Sequence, residues 1–436
     1  MKLQNKIFCF GLMATCLLAK TSCTKDFTNP SAVPNEQAFS SPQAMTGVAI
    51  GLQRLYTAGR GSSLYNRISI DALVTNQVIV LNQGNTSEFQ LQLGAGSVDG
   101  TNTMLGGLWT TSNKIIFDAN NIISQAEGLG DKNYGSGLIG YTTIFKALAL
   151  GDLAMFWQQI PDGTGSLGNP VKFVDRIQGF NNAITSIDKA LAAITANPIA
   201  PAFLTNLPTG IDVVNTLHAL KARYSLFAGN YAQALASANA VDLTKRSVFS
   251  FTAVFLNPIF ETVTSTNNVY APGDSTMGLP ASLAPDLGDK RVPFYISTNA
   301  TNPRFRVNGF GAASTTAWPI YLPGEMTLIK AEAYARQTTP DLTNALIELN
   351  KVVTKKAAND PFGVGADLPA LTGTYTQAQL LELIYKHRSI ELFMSGLRLE
   401  DMRRFNRPVS ERKRNFLPYP FLERDNNVNT PPDPTF

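Results

Sequence analysis

Apolar residues recur along this chain at helical spacing and fall into successive blocks. Ile115, Ala119, Ile122 and Ala126 stand at i, i+4, i+7 and i+11, which predicts a helix near 108–127. A second is predicted near 141–157, closing on Gln158, Gln159, Ile160 and Pro161. Val213, Leu217, Leu220, Tyr224 and Phe227 share a face; Gly229 and Asn230 interrupt it, and Tyr231, Ala234, Leu235 and Ala238 resume it, giving a pair over 213–240. Leu328, Ala331 and Ala335 are followed by Thr339 as a cap, Pro340, and then Leu342, Ala345, Leu349 and Val352, a second pair over 325–354. Thr376 with Gln379 has capping-box spacing and opens a last helix near 376–395, with Gly396 as its stop.

Two stretches, 59–107 and 247–323, lack this period and are rich in Gly, Asn, Thr and Pro with scattered aromatics. They read as long loop insertions, with patches such as Gln77, Val78, Ile79, Val80 and Leu81 as short strands. The Gly229, Asn230, Tyr231, Ala234 arrangement resembles the helix-turn-helix of a tetratricopeptide repeat, but no 34-residue period is sustained. The expected fold is therefore mainly α: a divergent tetratricopeptide-like helical-repeat core with long irregular loop insertions and a few short strands.

The N-terminus adds an address. Lys2 and Lys6 precede an apolar run from Ile7 to Ala19, about 13 residues, where a membrane-crossing helix needs about 20. The small residues Thr21 and Ser22 then lead to Cys23. The pattern resembles a lipobox, with Lys20 standing where that motif prefers an apolar residue. It predicts a signal peptide over 1–22, lipidation of Cys23, and a flexible tether over 23–35 before a single domain over 36–436; Cys16 is a second candidate anchor. Cys9 and Cys16 would leave with the signal, so the mature chain would form no intramolecular disulfide. The formal charge of +4 falls by three when Lys2, Lys6 and Lys20 are removed, which leaves no general drive toward nucleic acid.

Catalytic chemistry is thin. Gly135, Gly137 and Gly140 spell GxGxxG, but the turn-like Asp131 to Tyr134 replaces the strand a dinucleotide site needs, so a loop leading into the Tyr141 helix is expected. Gly273, Asp274 and Ser275 resemble the start of a hydrolase block, yet His218 and His387 both lie in helical patterns, and two histidines make no zinc site. Glu400 and Asp401 stand among Arg398, Arg403 and Arg404, where ion pairing is the simpler reading of the whole basic run to Arg414. No enzyme activity, metal or cofactor is expected. What remains is binding, by aromatic faces that stack on sugars or grip apolar groups and by amides and Arg that orient them. Tyr65, Asn66, Arg67, Phe89, Tyr270, Phe294, Tyr295 and Phe310 in the two insertions are the candidate ligand contacts.

The C-terminal third resembles the SusD/RagB family. Arg388, Glu391, Leu392, Gly396, Arg398, Asp401, Arg403 and Arg404 follow that family's pattern in order, with Ser395 in place of its usual Glu and Leu399 in place of a common aromatic. Trp109 to Asn120, Lys146-Ala147, Ile160-Pro161, Met326 to Glu332, Ala345 to Asn350 and Leu417 to Glu423 resemble further blocks, as does Cys23 to Phe27 at the lipidated start. The resemblance implies a lipoprotein on the outer face of the outer membrane. It would bind an oligosaccharide and pass it to a SusC-like TonB-dependent transporter. Peptide or another nutrient in the same role, and a protein-interaction scaffold built on the repeat-like helices, are the alternatives. The family's ligand loops vary, so the resemblance transfers no binding residue.

Overall fold

The computed structural model describes residues 39–165, 169–263 and 269–436. The predicted signal peptide, tether and Cys23 lie outside the described residues. The helices begin where the sequence supplies an acceptor for orphan backbone N–H groups. Ser41 caps α1 (Pro42–Thr57) and Ser62 caps α2 (Ser63–Val74); α3 is Thr86–Leu93. Asn102 caps α4 (Thr103–Glu127), Asp131 caps α5 (Lys132–Phe156) and Asp175 caps α6 (Arg176–Ala196). Asp212 caps α7 (Val213–Phe227), which turns through Gly229 into α8 (Tyr231–Asn239). Then come α9 (Pro323–Arg336), α10 (Leu342–Val353), α11 (Gln377–Glu391) and α12 (Arg398–Arg404). At α11 the capping box of Thr376 and Gln379 forms as expected.

Helices pack mainly against their sequence neighbours: α4 on α5, α5 on α6, α7 on α8 and α9 on α10. This is the helix-hairpin architecture that the spacing predicted. One large apolar core runs through most of the chain; a smaller cluster of Leu328, Ala331, Ala335, Leu349, Val352, Leu380 and Ile384 fills the space between α9, α10 and α11.

The structure corrects the sequence reading in several places. The cap of α10 is Asp341, which accepts from the Asn344 N–H, and not Thr339. The 59–107 insertion holds α2 and α3, and α4 starts within it. All twelve residues of α2 are buried, so no polar face marks its period. Helices α1 and α6 were not anticipated either. The GxGxxG lies inside α5, which begins at Lys132, instead of in a loop. Its glycines allow close helix packing: a Cβ on Gly137 would sit 2.5 Å from the Phe203 ring, and one on Gly151, further along, 2.3 Å from Tyr224. Helix α5 is long and apolar enough to cross a bilayer, yet it is the buried central helix of the core.

Eight short strands form four antiparallel two-stranded ribbons among the described residues. The anticipated Ile79–Val80 strand (β1) pairs with Tyr270–Ala271 (β5), joining the two insertions. Gln159–Pro161 (β2) pairs with Phe173–Asp175 (β3), Val248–Phe249 (β4) with Trp318–Pro319 (β8), and Ile296–Thr298 (β6) with Phe305–Val307 (β7).

The basic run after Arg398 is an ion-pair lattice, as its interleaved acids suggested. Arg388 donates twice to Asp401, at 3.1 Å each, and Arg404 bridges Asp401 and Glu332 at 2.8 Å each. Arg403 and Arg176 share Glu400. Glu391 receives Arg291 and Lys355, and Asp71 accepts the backbone N–H groups of Arg398 and Leu399. The buried charges of this block thus tie α9, α11 and α12 to α2 and α6.

Candidate ligand-binding cleft

The eight residues singled out from sequence are placed mostly inside the protein. Tyr65 is buried on α2 and donates to Glu88 at 2.9 Å. Asn66 is buried beside it, and Arg67 lies 3.6 Å from Asp152. Tyr270 shares a hydrogen bond of 2.7 Å with Ser69. Tyr295 donates to the Glu391 carbonyl at 2.6 Å, and its ring packs with those of Phe294 and Phe310. Tyr65, Asn66, Arg67, Tyr270, Tyr295 and Phe310 are core residues; only Phe89 and Phe294 are half-buried. Tyr65, Asn66 and Arg67 are covered because they lie on α2, a helix buried on every side. Tyr270, Tyr295 and Phe310 anchor a stretch with little helix, where large aromatics supply the most buried apolar area per residue.

The accessible concavity of this region lies elsewhere. One face of α1, carrying Ile50, Gln53, Arg54 and Thr57 at i, i+3, i+4 and i+7, forms one wall of a cleft of about 280 Å³. Pro208 and Thr209 close one end. Ser250, Phe251, Thr252, Phe255 and Leu256 form the opposite wall.

Local hydrogen bonds shape that wall. The Thr252 hydroxyl accepts from the N–H groups of Val254 and Phe255, and the Thr252 N–H donates to the Phe255 carbonyl at 2.9 Å. This tight turn pushes Val254 and Phe255 outward, 81% and 37% exposed. Ser250 donates to the Thr209 carbonyl at 2.9 Å, joining the two loops. The Arg54 guanidinium stacks 3.8 Å over the Phe255 ring, a cation–π contact that holds the aromatic in place. Gln53 is fixed from below by the Tyr141 hydroxyl at 2.5 Å.

Beneath the cleft lies a buried charged layer. Tyr56 donates to Asp152 at 2.9 Å, and Arg223 forms a two-pronged pair with Glu325 at 2.6 and 2.7 Å. Burial pushes the Asp152 carboxyl up to about 7, against the pull of Arg67 and Tyr56. The cleft itself is chemically mild. It offers an aromatic and aliphatic wall, four hydroxyls and one cation, with no carboxylate, histidine or cysteine in its lining. Such a surface can bind, but it holds no group to exchange protons with a substrate near neutral pH. Sequence reasoning missed Arg54, Thr57, Phe251 and Phe255. The aromatic run from Phe249 to Phe255 was visible, but its partner wall lies about 200 residues away in the chain.

The fold and the C-terminal block can be set beside known proteins. The SusD family model matches residues 296–431, the segment that holds the ion-pair lattice. Over that segment the chain is similar to the SusD family. No curated protein matches it. Among solved structures, a SusD superfamily protein from Bacteroides vulgatus superposes with a TM-score of 0.69 at 13% identity, covering 91% of this chain and 99% of the other. A SusD-like carbohydrate binding protein from Bacteroides fragilis reaches 0.66 at 15% identity, over 85% and 87%. A putative sugar binding protein from Bacteroides vulgatus reaches 0.67 at 14%, over 90% and 97%. At these identities the SusD-like fold is retained while most side chains have changed.

Proposed function

We propose that this protein is a member of the SusD family that binds an oligosaccharide in the Phe255 cleft without transforming it. The observation that carries the reading is the cleft's make-up: an exposed aromatic held by Arg54, flanked by Thr57, Thr209, Ser250 and Thr252. Aromatic faces stack on the C–H face of a sugar ring, while neutral hydroxyls exchange hydrogen bonds with its own. A peptide site would call for more charge than one stacked guanidinium supplies. The sugar-binding names of two structural neighbours agree with this choice. In the same proposal Cys23 carries a lipid that anchors the domain at the cell surface, and the bound glycan passes to a SusC-like TonB-dependent transporter.

Titration calorimetry of the mature domain against an oligosaccharide panel tests the binding step. Phe255→Ala is expected to weaken the best glycan about tenfold, the scale of one lost stacking contact. Binding of peptides but no glycan, or glycan binding indifferent to Phe255→Ala, sinks the assignment. Release of Cys23→Ala protein from the membrane fraction tests the anchor, and co-purification with a transporter tests the hand-off.

A further inference from the structure

A second groove, remote in sequence from the Phe255 cleft, has a different chemistry. It has a volume of about 240 Å³ and runs between α4, α5 and α6 near β2. Asn113 and Asn120 on α4, Lys146 on α5, and Asn182 and Thr185 on α6 face it, over a floor of Ile116, Leu150 and Pro161.

Lys146 is the exception among the lysines. Lys221, Lys330, Lys355 and Lys386 are partly buried, and each meets a carboxylate at 2.5–3.2 Å. Among the described residues Lys146 is the one lysine that is not exposed and has no carboxylate within 4.0 Å and no hydrogen-bond partner. A half-buried ammonium without a counter-ion is costly, and burial together with nearby Lys189 lowers its pKa. The surrounding amides are partly uncommitted. Asn182 uses its oxygen to accept from Gln178, which leaves its Nδ2 donors free. Asn113 spends one donor on the Trp109 carbonyl. Asp162 brings the one carboxylate in the lining and makes no ion pair with Lys146 within 4.0 Å.

We propose that this groove is a second ligand site, taking an oxyanion-bearing saccharide, a uronate or a sulfated sugar, with Lys146 as the cation that meets its charge. The Nδ2 groups of Asn182 and Asn120 and the Thr185 hydroxyl supply further donors to the oxyanion. Asp162 accepts from sugar hydroxyls at the other end, and the apolar floor receives the C–H face. The groove falls just below the usual range for drug-sized ligands, which fits one sugar unit. The site takes only its class of ligand from the proposed function, and it does not depend on the Phe255 cleft.

The test uses the whole mature domain with glucuronate, glucose 6-sulfate and glucose, followed by titration calorimetry at low salt. At least one acid should bind at least about tenfold tighter than glucose, the scale of one charge-assisted hydrogen bond. Lys146→Met should abolish that preference, Lys146→Arg should keep it, and Phe255→Ala should leave it unchanged. Which acid binds identifies the oxyanion. Lys146→Met should fold at least as stably as the parent by thermal unfolding. Should it fail to fold, Asn182→Ala on a different helix gives the second readout, a severalfold loss of acid binding. The proposal is overturned if neither acid binds, if glucose binds as tightly, or if Lys146→Met binds the acids as the parent does. Neutral-glycan binding lost in Phe255→Ala with acid binding retained would separate the two sites; loss of all neutral-glycan binding in the parent would refute the first cleft alone.

Discussion

The C-terminal ion-pair lattice and the Phe255 cleft stand at opposite ends of one design choice. The lattice concentrates charge where water is scarce: Arg388, Asp401 and Glu332 are buried, Arg404 is mostly covered, and each is held in an ion pair. The cleft faces solvent and carries a single cation, spent on an aromatic ring. A sequence scan draws the eye to the charged block, because charge is conspicuous in a row of letters. The structure gives that block a framework role and sets it apart from the neutral lining of the cleft. A buried charge must have its partner, so it is spent on architecture; an exposed aromatic with hydroxyls beside it remains free for a ligand.

The sharpest way to break this contrast is to remove one partner from the lattice. Asp401→Ala leaves Arg388 and Arg404 short of a counter-charge and is expected to cost about 3–5 kcal/mol in urea unfolding. A cost below about 1 kcal/mol would mean the lattice is decoration. Next comes packing. Gly151→Ala drives a Cβ into the Tyr224 ring on the neighbouring helix and should cost about 1–3 kcal/mol, because neither helix can retreat without disturbing the core. An unchanged Tm would show that the α5–α7 contact is looser than the structure has it.

Two carboxylates sharpen the comparison through pH. Although burial opposes it, Arg388 and Arg404 together hold the Asp401 carboxyl below its usual range. Its contribution to stability is therefore present above the ordinary carboxylate pKa and is lost as pH falls through the lowered value. Asp152, pushed up to about 7 by burial, behaves oppositely: the folded state binds its proton more tightly than the unfolded chain, so stability declines as pH rises from about 4 toward 7. Asp152→Asn should flatten that decline while leaving the acid limb unchanged. An unaltered slope between these pH values would refute the assignment. The smallest effect on stability belongs to Phe255→Ala, expected within about 0.5 kcal/mol of the parent because the ring is already exposed. If it unfolds the protein instead, the cleft is framework and the contrast collapses.

The legible part of this fold consisted of elements whose signals are local. The faces of α4, α7, α8 and α10, the capping box at Thr376 and the acids interleaved with arginines after Arg398 can each be read within a window of a dozen residues. Helix α2 carries no such signal because it is buried on every side, and the GxGxxG reads as a loop because glycine signals a turn unless a packed neighbour demands close approach. Residue type is all that marks the candidate ligand aromatics in the sequence. Type alone cannot distinguish Tyr65, donating to Glu88 in the core, from Phe255, held open by a turn.

Sequence by itself determined the helical class, most of the hairpin pairings and the family pattern from Arg388 to Arg404. These follow from hydrophobic period, caps and charge spacing, all of which act over a few residues. Only the tertiary structure decided which aromatics face water, that α1 and the 250–256 turn meet to form a cleft, and that Lys146 meets no carboxylate among the described residues. Each of those depends on which distant segments come together. Exposure and pairing are properties of an environment, and the environment exists only once the chain has folded.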